Sequence, residues 1–154
     1  MKEQTINISG HYLFPSAIFV TEKDYLVTTV LGSCVAVCLY DTVRKVGGIN
    51  HYMLPLWNGK GLASPKFGNI AIEQLITKML KSGAKKENLI AKLFGGANQS
   101  SSTMRIGERN VELAIDLLQK NDINIVARST GGFVGRKIIF NTSTGQVRMK
   151  YVNK

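Results

Sequence analysis

Residues 25–55 read YLVTTVLGSCVAVCLYDTVRKVGGINHYMLP, and this stretch decides how the chain folds. Tyr25–Val30 is rich in β-branched residues and reads as a strand ending at the Leu31-Gly32-Ser33 turn. The continuous apolar run Val35–Tyr40 predicts a second strand, and Gly48–Leu54 a third. The polar connection Asp41–Lys45 is short enough to join these last two as a hairpin. If Tyr40 faces Gly47, the register puts Ala36 opposite His51. Cys34, two residues from Ala36, then shares a face with His51 on the diagonal, where Cβ atoms lie about 7–8 Å apart.

Outward from this core the pattern alternates helix and strand. Residues 55–68 (PLWNGKGLASPKFG) hold two of the three prolines and three glycines, which predicts a long surface loop. From Asn69, the residues Ile72, Leu75, Ile76, Met79 and Leu80 form one apolar stripe at helical spacing, with Asn69 as N-cap and Gly83 as stop. Leu89–Phe94 reads as a strand ending at Gly95-Gly96. Val111, Ala114, Ile115 and Leu118 mark a second helix that stops near Asn121. Ile123–Ala127 is a further strand, and Ile138–Asn141 with Val147–Val152 flank a Thr142-Ser143-Thr144-Gly145 turn as a closing hairpin. Nothing reads as a linker, repeat or low-complexity tract. The expectation is one domain over 1–154: a layered α/β sandwich with a mixed, partly antiparallel sheet and two main amphipathic helices.

Composition narrows the function. With 154 residues, 44% hydrophobic and 19% charged, the chain has the make-up of a globular protein and not of a disordered one. The polar start Met1-Lys2-Glu3-Gln4-Thr5 argues against a secretory signal, and no apolar run approaches the length of a membrane span. The net charge of +10 comes from scattered lysines and arginines, with pairs such as Lys85-Lys86 and Arg136-Lys137 as the longest runs. No nucleic-acid-binding signature accompanies them, so solvated basic faces or an acidic protein partner account for the charge. The two cysteines, Cys34 and Cys38, sit on one predicted strand, which separates their Cα atoms by roughly 13 Å. A disulfide needs less than about 7 Å. Free thiols suit a reducing cytoplasm.

Cys34 and His51 are candidates for nucleophilic acyl chemistry. The Gly32-Ser33 turn presents Cys34 at the mouth of an apolar strand, whereas Cys38, between Val37 and Leu39, reads as a small buried hydrophobe. An adjacent histidine can take the thiol proton, freeing a thiolate to attack an amide or ester carbonyl, and can then protonate the leaving amine. Backbone N–H groups of Ser33 and Cys34 at the turn are candidates to hold the oxyanion. A third residue usually orients the imidazole, and Thr28 and Thr29, which point to opposite faces of one strand, are both candidates. Zinc held by Cys34, Cys38, His51 and His11 is poorly served by their spacing. The glycine pairs at 47, 95 and 131 match neither nucleotide-binding pattern and suit tight turns.

The segments LGSCVAVCLYD, GGINHYMLP, AKLFGGA, IGERN and TGG, in that order between Tyr12 and Val147, resemble those of the CheD family of chemoreceptor glutamine deamidases. The resemblance implies Cys34 as nucleophile, His51 in the N-H-x-x-L-P segment as base, and Thr28, six positions before the cysteine, as the third catalytic residue. It implies hydrolysis of glutamine side chains of methyl-accepting chemotaxis receptors through a thioester, with no cofactor or metal. Glutamyl methyl esters are substrates of some relatives. The implied partners are the receptors and a CheC-type phosphatase as regulator, and the implied fold is a three-layer α/β sandwich. Ser129 departs from relatives, which often carry an acidic residue there. The competing reading is a non-catalytic basic adaptor that binds receptors or CheC; its marker would be loss of Cys34, His51 or Thr28, and all three are present.

Overall fold

The computed structural model describes residues 8–98 and 105–152, so the polar start of the chain lies outside the described residues. The described residues form nine strands and two α-helices. The first four strands are β1 (Ser9–Tyr12), β2 (Ile18–Thr21), β3 (Tyr25–Leu31) and β4 (Val35–Asp41). After β5 (Gly47–Asn50) come α1 (Gly68–Lys81), β6 (Leu89–Gly95) and α2 (Ile106–Lys120), followed by β7 (Asn124–Thr130), β8 (Arg136–Asn141) and β9 (Val147–Tyr151). Two of these, β1 and β2, have no counterpart in the sequence reading: each is four residues long and none of its residues is fully buried, so no periodic pattern marks it.

The strands form two sheets where one mixed sheet was expected. One has the order β1-β3-β8-β9 and the other β2-β5-β4-β6-β7. The predicted β4–β5 hairpin holds, with Tyr40 opposite Gly47 and Cys38 opposite Ile49. The Asp41 carboxylate closes its turn by accepting N–H bonds from Val43, Arg44 and Lys85 at 2.8–2.9 Å. The third strand is shorter than expected. Regular pairing with β4 stops at Ile49 and resumes as a single bridge between Val35 and Tyr52 in the same register. Between them the Asn50 side chain, not its backbone, accepts the Val37 N–H at 2.8 Å.

Both helices pack on one face of the five-stranded sheet, giving three layers. Ala71, Ile72, Leu75, Ile76 and Met79 of α1 and Val111, Ala114 and Leu118 of α2 meet Val35, Val37 and Leu39 of β4 in an apolar core. Each large side chain fully buried there contributes about 1.5–3 kcal/mol. On the opposite face Ala36 and Cys38 meet Val27, Leu31, Ile138 and Phe140 of the other sheet. Because β4 is covered on both sides, all seven of its residues are buried, which is why its sequence is apolar without a break from Val35 to Tyr40. Helix α1 begins one residue before the expected cap. Asn69 lies in its first turn, and its Oδ1 accepts the Trp57 N–H at 3.0 Å, anchoring the preceding loop instead of capping the helix. At the other end Gly83 takes a φ of 101°, a left-handed stop as expected. Among the described residues no helix is long and apolar enough to cross a membrane.

Candidate active site

Cys34 stands on the turn that leads from β3 in one sheet to β4 in the other, and is half-buried while Cys38 is fully buried. The turn is pinned carbonyl by carbonyl. Gly32 O accepts Ala97 N–H at 2.9 Å, Ser33 O accepts Asn110 Nδ2 at 3.0 Å, and Cys34 O accepts Gly96 N–H at 2.9 Å. This approach requires glycine at 95: its φ is 109°, and a Cβ there would run into the Cys34 carbonyl. Asn110 also donates to Met53 O at 3.0 Å, so one buried amide clamps the Gly32-Ser33-Cys34 turn to the segment after His51. The sequence reading found no role for Asn110. It lies next to the apolar stripe of α2, and its contacts come from elements far away in sequence.

His51 directly follows β5, and the bridge between Val35 and Tyr52 carries two N–H bonds of 3.0 and 3.1 Å. That register places Ala36 opposite His51 and Cys34 on the diagonal. Cys34 packs, with Ala36, on the cluster between the sheets, so the thiol and the imidazole share this layer. His51 Nδ1 lies 2.7 Å from a threonine hydroxyl, and that threonine is Thr29. The resemblance implies Thr28 in this role, whereas the hydroxyl within reach of Nδ1 is that of Thr29. On β3 the inward face is Val27, Thr29 and Leu31, all buried, whereas Thr28 belongs to the opposite, partly exposed face. Thr28 contributes its backbone instead, its carbonyl accepting Leu13 N–H at 2.9 Å.

The hydrogen bonds fix the tautomer of His51. Thr29 Oγ1 is 2.8 Å from Leu13 O, a carbonyl that can only accept. The single hydroxyl proton is therefore donated to Leu13, and Thr29 accepts from Nδ1–H of His51. Nε2 is left as a bare lone pair, buried and without a partner among the described residues. Burial lowers the pKa of His51 from 6.5 to about 4, so the ring is neutral near pH 7. Burial raises the pKa of Cys34, partly offset by a bond from its own backbone N–H. The resting pair is thus a neutral thiol and a neutral base.

In front of Cys34 is an open cavity of about 530 Å³ lined by Ser33, Met53, Leu54, Lys66, Asn98 and Arg105, among others. Ile106 and Gly107, at the start of α2, also line it, so the positive end of that helix faces the cavity. Arg136 is buried and donates from Nε to Ser129 Oγ at 3.0 Å and from Nη1 to Gly95 O at 3.4 Å.

Comparison with known proteins gives a consistent picture. A family model described as CheD chemotactic sensory transduction matches residues 53–151. A probable chemoreceptor glutamine deamidase CheD of Trichlorobacter lovleyi is 56% identical over 143 residues, covering 91% of this chain and 89% of that protein. One of the same name from Sulfurimonas denitrificans is 48% identical over 147 residues, covering 93% and 94%. Among solved structures, a Neisseria meningitidis protein of family model DUF152 aligns with a TM-score of 0.50 at 11% identity, over 82% of this chain and 65% of that one. That likeness shows a shared fold.

Proposed function

The chain belongs to the CheD family and is a chemoreceptor glutamine deamidase, and from that premise we propose that Cys34 is its nucleophile, His51 its base and Thr29 the group that orients the base. The observation that carries this reading is the string Leu13–Thr29–His51, which leaves the unprotonated Nε2 buried on the face shared with Cys34.

The Cys34 thiol passes its proton to Nε2 as sulfur attacks the side-chain carbonyl carbon of a substrate glutamine. The carbonyl oxygen becomes an oxyanion, held by the backbone N–H groups of Ser33 and Cys34 and favoured by the α2 N-terminus. Collapse expels ammonia, which leaves with the proton held on His51, and a γ-glutamyl thioester remains on Cys34. Water, deprotonated by the same Nε2, attacks the thioester; glutamate departs and the thiol is restored. A glutamyl methyl ester enters the same thioester with methanol as leaving group, so esters are a second substrate class. A CheC-type phosphatase, binding near the cavity, is the proposed regulator, and the cytoplasmic portions of the receptors are the proposed place of action.

The test is incubation with receptor cytoplasmic fragments followed by peptide mass spectrometry. Wild type converts glutamine to glutamate, and Cys34→Ala slows conversion by roughly ten-thousandfold. Equal conversion by both proteins removes Cys34 from the mechanism. Receptor binding without conversion by wild type would favour the adaptor reading instead.

A further inference from the structure

The cavity facing Cys34 is electrically one-sided. Its lining holds two cations, Lys66 and Arg105, and no carboxylate among the described residues. The two come from separate walls, each tied to the nucleophile through backbone. The Lys66 carbonyl accepts N–H bonds from Met53 and Leu54 at 2.9 and 3.1 Å, next to the Tyr52–Val35 bridge that leads to Cys34. Arg105 precedes α2, where Gly107 packs so closely that a Cβ would lie 2.5 Å from Gly96 O and Ala97 O; Gly96 in turn donates to Cys34 O. Arg105 has a partner in Glu108 at 3.3 Å, but both side chains face solvent, 72% and 43% exposed. Exposed pairs of this kind are weak and give way to a competing carboxylate.

We propose that Lys66 and Arg105 are specificity-determining residues, selecting glutamines that stand beside a carboxylate in the substrate. The proposal rests on the deamidase reading of Cys34. Attack places the reactive side chain in the cavity, which brings its flanking residues to the two cations on the rim. An acidic flank is attracted, an uncharged flank is indifferent and a basic flank is repelled. The reaction itself then alters the selection. Deamidation creates a carboxylate, so of two neighbouring glutamines the second becomes a better substrate once the first has been converted.

The experiment uses the full chain and receptor cytoplasmic fragments in which the glutamates flanking a converted glutamine are kept, changed to glutamine or changed to lysine. Wild type at low salt is expected to favour the acidic flank over the neutral one by roughly 5- to 10-fold in kcat/KM, the scale of two solvent-facing ion pairs. The preference shrinks towards unity at 0.5 M salt, about a 4 Å Debye length, and in a Lys66→Ala/Arg105→Ala double variant. A Lys66→Glu/Arg105→Glu double variant turns the preference toward the lysine-flanked fragment, a gain that a misfolded protein cannot produce. A wild type that ignores the flanks, or a preference unchanged in the double variant, overturns the proposal. Failure of wild type to convert any glutamine overturns the deamidase reading itself, a separate outcome.

Discussion

On one side of β4, Val35, Val37 and Leu39 press against Leu75, Met79 and Leu118; on the other, Ala36 and Cys38 face the second sheet, where Thr29 and His51 are buried. Both sides exclude water, but they use that exclusion differently. Toward the helices, dryness stabilises through apolar area alone. Between the sheets it removes competing solvent from a few polar groups, so that one hydroxyl decides the tautomer of one imidazole. The layer also differs along its length. Cys38, near its middle, has its thiol pKa driven far up by burial, while at Cys34, which lines the open cavity, the rise from burial is partly offset by a backbone N–H bond. The same residue type on the same face is sealed in one place and, at the proposed nucleophile, open to the cavity in the other.

The contrast breaks most readily on the helix side. Leu75→Ala should cost 2–5 kcal/mol in denaturant unfolding while leaving the pH profile of deamidation unchanged; a shifted profile would mean that the two faces are not independent. Between the sheets, the largest effect is tied to pH. The pKa of His51 is about 4 in the folded chain against 6.5 unfolded. Between those values the unfolded chain takes up the proton and the native one does not. Stability is therefore full above about pH 6.5 and falls by on the order of 3 kcal/mol as pH drops toward 4. Replacing the ring in His51→Gln should flatten that slope in thermal melts between pH 7 and 4.

Smaller effects sharpen the polar side. Thr29→Val should lower kcat/KM by roughly a hundredfold, near the lower end of what a positioned base contributes, whereas Thr28→Val should change it by about twofold or less. An inverted order would restore Thr28 to the site. Smallest of all, Cys38→Ala should cost about 1 kcal/mol and keep activity, and iodoacetamide should label Cys34 but spare Cys38 in the native protein.

Much of this arrangement is legible in the sequence because burial leaves a pattern. The unbroken run of β4, the helical spacing of Ile72, Leu75, Ile76 and Met79, and the glycine stops all follow from local chemistry. The hairpin register was readable too, since the turn length fixes the pairing from Tyr40 and Gly47 inward. What the sequence conceals depends on partners distant along the chain. Adjacent threonines are equivalent until β3 is packed, and then the pairing of β3 with β8 and the burial of Val27 and Leu31 turn Thr29 inward. Asn69 resembles a cap because the demand of Trp57 N–H for its side chain is invisible locally. Asn110 is one polar letter among several on α2, given meaning only by two carbonyls more than fifty residues away.

The string from Leu13 through Thr29 to His51 also has a direction. Each of its donors points toward Leu13, and none can reverse while that carbonyl stays in place. A proton landing on Nε2 turns no bond around, because Nδ1–H and the hydroxyl are already aligned for the charged ring. In the mechanism proposed above the two half-reactions accordingly share one port: the proton that leaves with ammonia and the proton drawn from water pass through the same nitrogen, with no rotation of the imidazole between them.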